Sequence, residues 1–293
     1  MNSIQLKSRA KINLSIDVLG KRPDGYHLVE MIMQTIDLFD TIKITILEND
    51  EILIKSNSVD IPLDKSNIAY KAADLIKSEF SINKGIEIYI DKNIPVAAGM
   101  AGGSSNAAAI LVGLNKLFDL NLSNEQLEKI GLNLGADVPF CISGNACLAE
   151  NIGEKLSKID GLHKDAFILV CKPNIFVSTK EIYEEIDAKE IEARPNNRLL
   201  IKLLKDNNIK SLADNMYNVL EEVTKTKYPA IDGIEKRMLE NGALGSMMSG
   251  SGPTVFGLYL NKEEAEKCKE LLLEQYDEVY VVNSNEKGVE IDG

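Results

Sequence analysis

The feature that most constrains this chain is a glycine-rich segment leading directly into a predicted helix. Residues 95–109 read PVAAGMAGGSSNAAA, which is a turn of small residues followed by helix formers. Such a turn offers an anion backbone N–H groups and the positive end of a helix dipole. The segment lacks the lysine of a P-loop, because Gly103 is followed directly by Ser104 and Ser105. A phosphate bound here needs positive charge from elsewhere, and a tight packed turn is the alternative interpretation.

Composition narrows the classes of protein to consider. The chain has 293 residues, which is long for one hydrophobic core and favours two domains. We place them at residues 1–155 and 156–293. The net charge of −12 argues against binding to nucleic acid, which needs a basic face. No apolar run approaches the roughly 20 residues of a membrane span, so we expect no membrane partner and a cytoplasmic location.

Cysteine and histidine usage points away from disulfides and zinc. The four cysteines (Cys141, Cys147, Cys171 and Cys268) show no CxxC spacing, so we expect reduced, structural thiols. The two histidines, His27 and His163, belong to no metal-ligand pattern.

Apolar periodicity predicts an α+β fold in both halves. Residues 11–19 alternate strictly, which predicts a half-buried strand. Its apolar face would carry Ile12, Leu14, Ile16 and Val18, and its polar face Lys11, Asn13, Ser15 and Asp17. Helices are expected over 66–80, with Ser66 as N-cap, and over 103–118. Another begins after Ser123, which forms a capping-box pattern with Gln126, and Asp137 lies on the connection after it.

Five segments, in order, resemble the GHMP superfamily of small-molecule kinases. They read AKINL, KRPDGYH, GMAGGSSNAA, GADVPF and SGSGPTVF, and they span essentially the full chain. The chain departs from the family pattern at two positions. Arg9 stands where the family often has proline, and Ala101 stands where it often has glycine. Alanine at position 101 predicts a backbone that needs no positive φ there. The resemblance implies a two-domain fold, with an N-terminal domain like ribosomal protein S5 domain 2 and a ferredoxin-like C-terminal domain.

The same resemblance implies where the missing positive charge comes from. Lys11 would supply it from a distant strand, and it would also hold Asp137, the catalytic base, in its ionised form. Lys11 and Asn13 lie two apart on a strand, so their side chains leave the same face. A solvated lysine and a turn aspartate are the commoner structural interpretations of such residues.

The remaining site residues also follow from the resemblance. ATP would bind with Mg²⁺, whose ligands the sequence leaves undetermined, although the hydroxyl of Ser104 or Ser105 is a candidate. The nucleotide-binding residues would be Pro95, Val96, Ala97, Ala98, Gly99, Met100, Ala101, Gly102, Gly103, Ser104, Ser105, Asn67, Lys92 and Asn106. The acceptor would be a small alcohol carrying a cytidine diphosphate group, bound by Asn13, Tyr26, His27, Thr179 and Tyr183.

Three alternatives stay open at this point. A GHMP kinase of another alcohol, such as mevalonate or homoserine, would have no nucleobase for Tyr26 and His27 to contact. A nucleotide-binding regulator without catalysis would have no need of both Lys11 and Asp137. A nucleic-acid-binding module is suggested by the S5-like fold alone, and the acidic charge disfavours it.

Overall fold

Strands and helices alternate along the computed structural model of this protein, which describes residues 2–292. The strands are β1 (Ser3–Lys21), β2 (His27–Leu47), β3 (Ile52–Ser56), β4 (Gly85–Asp91), β5 (Ala146–Asn151), β6 (Lys155–Ile159), β7 (Phe167–Lys172), β8 (Tyr217–Asn218), β9 (Gly245–Met248), β10 (Val255–Tyr259), β11 (Glu278–Val282) and β12 (Val289–Ile291). The helices are α1 (Ile68–Glu79), α2 (Gly102–Leu117), α3 (Asn124–Leu132), α4 (Val138–Ser143), α5 (Thr179–Ile186), α6 (Asn197–Lys205), α7 (Ile209–Asn215), α8 (Glu221–Lys227), α9 (Pro229–Glu240) and α10 (Lys262–Leu273).

The first sheet is built on the long hairpin of β1 and β2. The strand order is β12-β1-β2-β4-β3, and β5 pairs with both β2 and β6, while β8 pairs with β1. Helix α2 packs against β1 and β2. This is the helix predicted over residues 103–118, and its buried residues include Ala107, Ile110, Leu111 and Leu114.

Strand β1 is irregular, and this changes which side chains share a face. Its pairing with β2 shifts register between Asn13 and Ser15, where Leu14 is the extra residue. A bulge reverses the alternation beyond it, so Ile12 and Leu14 pack in one apolar cluster while Ile16 and Val18 pack in the other. The prediction of one shared apolar face was therefore wrong. The polar residues are buried as well, because the bulged strand is covered on both sides.

The second sheet has the order β11-β7-β10-β9, and all its pairings are antiparallel. Taken in chain order, its strands lie as fourth, first, third and second. Helices α5 to α9 separate β7 from β9, and α10 connects β10 to β11. This is the split β-α-β topology of a ferredoxin-like domain.

The first sheet contains strands from both sides of the predicted domain division. Strand β6 pairs with β5 in the first sheet, so a division between residues 155 and 156 falls inside a paired strand. Sheet membership first changes between Ile159 and Phe167. The final strand β12 returns to pair with β1, so the second half of the chain also completes the first sheet.

The cap of α3 agrees with the sequence prediction, and the cap of α1 differs from it. Ser123 and Gln126 form the predicted capping box at the start of α3. Helix α1 is capped by Asn67 and not by Ser66, since the Asn67 side chain accepts a hydrogen bond from Ala69 N at 2.9 Å.

All four cysteines are buried free thiols. No helix within residues 2–292 combines the length and the apolar character needed to cross a membrane.

Candidate active site

The glycine-rich segment forms a tight loop that ends at the N-terminus of α2. Ala97, Gly99 and Ala101 all have positive φ, at 51°, 71° and 57°. The expectation that position 101 needs no positive φ was wrong. The backbone carbonyl of Met100 accepts a hydrogen bond from Lys11 N at 3.1 Å, which fixes the loop against β1. The chain must then turn sharply into α2, at a cost of about 1 kcal/mol for a left-handed alanine.

The start of α2 keeps its backbone donors free for a ligand. Ala101 is the N-cap residue and has no side chain able to cap the helix, so the first N–H groups, from Gly102 onward, have no capping partner among residues 2–292. Ser104 follows them on the open side, where it lines two cavities. Ser105 is fully buried, and its hydroxyl donates to Arg9 O at 2.6 Å. Of the two serines, only Ser104 therefore offers its hydroxyl to a ligand.

A cavity of about 420 Å³, here called the loop cavity, lies over this helix N-terminus. Twelve of the fourteen predicted nucleotide-binding residues line it: Asn67, Lys92, Pro95, Val96, Ala97, Ala98, Gly99, Ala101, Gly102, Gly103, Ser104 and Asn106. Met100 and Ser105 do not, since both side chains are buried. The loop cavity can hold an anion at one end and a flat apolar group against the small residues.

Asp40, which sequence reasoning missed, organises one wall of the loop cavity. Its fully buried carboxylate accepts hydrogen bonds from Asn106 Nδ2 at 2.8 Å and Ile94 N at 2.8 Å. It also forms an ion pair with Lys92 Nζ at 2.9 Å. Burial lowers the pKa of Lys92, and Asp40 opposes that shift. Asp40 thus fixes two of the predicted nucleotide-binding side chains.

Lys11 reaches the centre of the site from β1. Its Nζ donates to Asn13 Oδ1 at 2.6 Å and to Gly99 O at 3.0 Å. Within residues 2–292, no carboxylate forms an ion pair with this buried ammonium. Its acceptors are neutral oxygens, so its positive charge is available to a bound anion. Lys11 and Asn13 share one face, as predicted.

Asp137 faces the same space from the connection between α3 and α4. It is the N-cap residue of α4, but its side chain forms no capping hydrogen bond. Asp137, Lys11, Asn13 and Ser104 line a cavity of about 280 Å³, here called the central cavity. The sequence resemblance implied a direct action of Lys11 on Asp137. The structure places both groups at one cavity without a direct ion pair, so a ligand between them would contact both.

The second domain contributes a turn that closes the central cavity. Gly250 and Ser251 line it, and Gly250 N donates to Asn13 Oδ1 at 3.1 Å. Ser249 Oγ donates to Gly99 O at 3.1 Å. A Cβ on Gly99 would lie 2.3 Å from Ser249 O, so only glycine allows this approach. The SGSG segment therefore forms the floor of the site and is locked to the glycine-rich loop.

A third cavity of about 520 Å³, here called the aromatic cavity, lies beyond the central one. Four of the five predicted acceptor-binding residues line it: Tyr26, His27, Thr179 and Tyr183. The ring centroids of His27 and Tyr183 are 4.8 Å apart, whereas the Tyr26 side chain is mostly exposed at the rim. Burial raises the pKa of Tyr183, so its hydroxyl stays protonated at neutral pH.

The three cavities share walls and form one cleft. The loop and central cavities have Gly99, Ala101 and Ser104 in common. The central and aromatic cavities have Val29, Ile152, Thr179 and Tyr183 in common. The order along the cleft is anion-binding loop, Lys11 with Asp137, and aromatic pocket. Such a cleft can align a nucleotide phosphate with a group on a second ligand.

Comparison with known proteins agrees with this geometry. The family model for the GHMP kinases N terminal domain matches residues 67–145, and that for the GHMP kinases C terminal matches residues 200–278. The chain belongs to the GHMP kinase family. A relative from Clostridioides difficile (strain 630) is 64% identical over 293 residues, covering 100% of this chain and 99% of the relative. It is a 4-diphosphocytidyl-2-C-methyl-D-erythritol kinase.

Two further proteins carry the same kinase name. One, from Alkaliphilus metalliredigens, is 51% identical over 284 residues, covering 97% of each chain. The crystal structure of a 4-(cytidine 5'-diphospho)-2C-methyl-D-erythritol kinase superposes with a TM-score of 0.82 at 26% identity, covering 96% of this chain and 99% of that one. The predicted α+β two-domain fold and the predicted kinase class are confirmed.

Proposed function

We propose that this protein transfers the γ-phosphoryl group of ATP to the 2-hydroxyl of 4-diphosphocytidyl-2-C-methyl-D-erythritol, a step of non-mevalonate isoprenoid precursor synthesis. One observation carries the proposal. The cleft joins an anion-binding helix N-terminus to an aromatic pocket, with Lys11 and Asp137 where the two meet. A kinase of a nucleotide-linked alcohol needs these parts in this order.

ATP would lie in the loop cavity with its phosphates over the start of α2. The unpaired N–H groups of Gly102, Gly103 and Ser104 face a β- or γ-phosphate there. The adenosine would lie toward Asn67, Lys92 and Asn106. The Asn67 carboxamide already caps α1, so its contribution would be mainly to shape the wall.

Mg²⁺ would accompany the phosphates. Within residues 2–292, no three His, Cys, Asp or Glu side chains cluster as a metal site. Mg²⁺ commonly takes only one or two protein oxygens and keeps phosphate and water ligands, and the cleft offers the hydroxyl of Ser104. When bound, the ion neutralises charge on the phosphate oxygens.

Asp137 and Lys11 would carry out the transfer. Asp137 accepts the proton of the acceptor hydroxyl as that oxygen bonds to the γ-phosphorus, and the bond from phosphorus to the β–γ bridging oxygen breaks to release ADP. Lys11, whose charge has no carboxylate partner, stabilises negative charge on the transferring group. Asn13 holds the Lys11 ammonium and would contact the acceptor beside it.

The acceptor's cytosine would lie in the aromatic cavity. The Tyr26 ring, 59% exposed at the rim, is free to stack on a base, and such stacking contributes about 1–3 kcal/mol. His27 would hydrogen-bond the polar edge of the base. Thr179, whose hydroxyl lies 2.8 Å from Ser251 Oγ, and Tyr183 would form the opposite wall.

The same proposal covers location and partners. The four buried free thiols suit a reducing cytoplasm. The net charge of −12 disfavours nucleic acid as a partner.

The decisive experiment measures ADP release by the purified protein with Mg-ATP and four acceptors. These are cytidylated methylerythritol, methylerythritol phosphate, mevalonate and homoserine. We expect turnover with the cytidylated compound alone. Turnover with another alcohol would reassign the acceptor, and tight ATP binding without turnover on any acceptor would support the non-catalytic regulator.

A further inference from the structure

Asp187, immediately after α5, forms a hydrogen bond with the edge of the His27 ring. Its Oδ1 lies 2.7 Å from His27 Nε2, and its Oδ2 lies 2.7 Å from Lys21 Nζ. The two residues are 160 positions apart in the sequence, and no sequence motif pointed to Asp187. The aspartate therefore connects the second domain to the β1–β2 hairpin at the aromatic cavity.

This contact determines which histidine nitrogen carries the proton. An ionised carboxylate can only accept hydrogen bonds, so the nitrogen that faces it must be an N–H donor. The Lys21 hydrogen bond, followed by that of His27, lowers the pKa of Asp187, which keeps the carboxylate ionised at neutral pH. A neutral His27 then has its proton on Nε2 and a lone pair on Nδ1.

The ring is also fixed in orientation. Tyr183 lies against its face with an interplanar angle of 40°, and only 9% of the His27 side chain is exposed. Nδ1 has no hydrogen-bond partner among residues 2–292, while the ring lines the aromatic cavity. A base in that cavity would lie beside a ring whose Nδ1 is not engaged by any of those residues.

We propose that Asp187 is a positioning residue that gives this kinase its preference for cytosine over uracil, by holding His27 as the Nε2–H tautomer with Nδ1 as an acceptor. The inference rests on the proposed cytosine site. Cytosine carries an exocyclic amino donor where uracil carries a carbonyl oxygen. The amino group can donate to Nδ1, whereas the uracil oxygen would face a lone pair and leave both acceptors unpaired.

The first test is made on the free protein, without any ligand. The chain has two histidines, so long-range ¹H–¹⁵N spectra at pH 8.5 resolve each ring, with a His163→Gln variant to assign the signals. We expect His27 as the Nε2–H tautomer in the unmodified protein, and a mixture of tautomers in Asp187→Ala. A dominant Nδ1–H tautomer in the unmodified protein would overturn the proposal.

The second test measures specificity without requiring turnover. Titration with CDP and with UDP, followed at the His27 signals, gives the ratio of the two affinities. We expect this ratio to fall about tenfold in Asp187→Ala, through weaker CDP binding and unchanged or tighter UDP binding. An equal loss for both nucleotides would indicate a merely structural role and would overturn the proposal.

The chain offers a matched control in its other histidine–aspartate pair. His163 Nδ1 lies 3.1 Å from Asp165 Oδ2, and both side chains are well exposed. Asp165→Ala should alter the His163 signals and leave both His27 and the CDP-to-UDP ratio unchanged.

These results separate the positioning role from the proposed function. If Asp187→Ala shifts the tautomer but leaves the ratio unchanged, the role of His27 in reading the base is wrong while the kinase assignment stands. If CDP is preferred and the ratio depends on Asp187, yet no alcohol is phosphorylated, the catalytic assignment fails while the positioning role stands.

Discussion

Lys11 Nζ donates to the carbonyl oxygen of Gly99 at 3.0 Å, which ties the proposed catalytic ammonium to the glycine-rich loop. That carbonyl also accepts from Ser249 Oγ, so one backbone oxygen joins the lysine strand, the loop and the second domain. Motion of any one of these segments therefore displaces the lysine relative to the others. The site depends on this junction as much as on the reacting groups.

Asp137→Asn should abolish turnover while retaining both ligands. The amide cannot accept the hydroxyl proton, so we expect kcat to fall by about 10²–10⁴, and the Asp137 side chain supports no helix cap, so stability should change little. Calorimetric titration with ATP and with the acceptor measures binding separately from kcat. A near-normal kcat would contradict the base assignment.

Gly99→Ala should destabilise the junction. The new Cβ would lie 2.3 Å from Ser249 O, at a backbone φ of +71°, so we expect a loss of at least about 2 kcal/mol in the free energy of unfolding. Gly103→Ala is the matched control, because its Cβ would have only the Ile68 side chain at 3.4 Å. Urea unfolding of both variants is the measurement, and equal stabilities would show that the Gly99 contact is unimportant.

Asp40→Asn should lower the free energy of unfolding, because Asp40 lies in the wall of the loop cavity beside Lys92. It leaves the buried Lys92 ammonium without its carboxylate partner, and breaking a buried pair from one side costs about 3–5 kcal/mol. We also expect a higher KM for ATP, since the single carboxamide oxygen at position 40 replaces the two carboxylate oxygens that hold Lys92 and Asn106.

A second substitution separates charge from packing at this wall. Lys92→Met added to Asp40→Asn removes the unpaired charge and should restore part of the stability. Thermal unfolding measures the stability of the single variant and of the double variant. A double variant less stable than Asp40→Asn would rule out the unpaired charge as the cause.

Glu235 should make stability depend on pH in the neutral range. Burial, together with the neighbouring Glu221, raises its pKa to about 8. The folded protein then holds a proton on Glu235 that the unfolded chain releases above pH 4.5, so the free energy of unfolding falls as pH rises from about 4.5 to 8. Glu235→Gln should flatten that part of the profile in urea unfolding at several pH values. A profile unchanged by the substitution would contradict the raised pKa.

Local patterns predicted much of the fold because they depend on near neighbours. The helix expected over residues 103–118 and the capping box at Ser123 each follow from spacing within one element. The extra residue at Leu14 does not, because strict alternation in a sequence carries no mark of the partner strand's register. The face reversal in β1 was therefore invisible before the pairing was known.

The sequence predicted the site residues that belong to a recognisable motif. It did not predict the residues whose importance comes from contacts with distant parts of the chain. Lys11, Asp137 and the loop residues come from five quoted segments, and their assignment as site residues stays a prediction. Asp40 and Asp187 were missed, because their importance lies in Lys92 and His27, 52 and 160 positions away. An isolated aspartate in a sequence gives no sign of the distant side chain that it will contact.

The return of β12 to the edge of β1 makes the strand that carries Lys11 depend on residues translated long after it. Arg9, two residues before Lys11, holds Glu290 in this last strand through an ion pair of 2.8 Å. The floor of the cleft, at residues 249–251, also comes late in the chain. A nascent polypeptide that has already made Lys11, the glycine-rich loop and Asp137 would still lack the floor and the edge strand that hold them in place. We expect a growing chain to phosphorylate no acceptor until residues 249–251 and β12 have been synthesised.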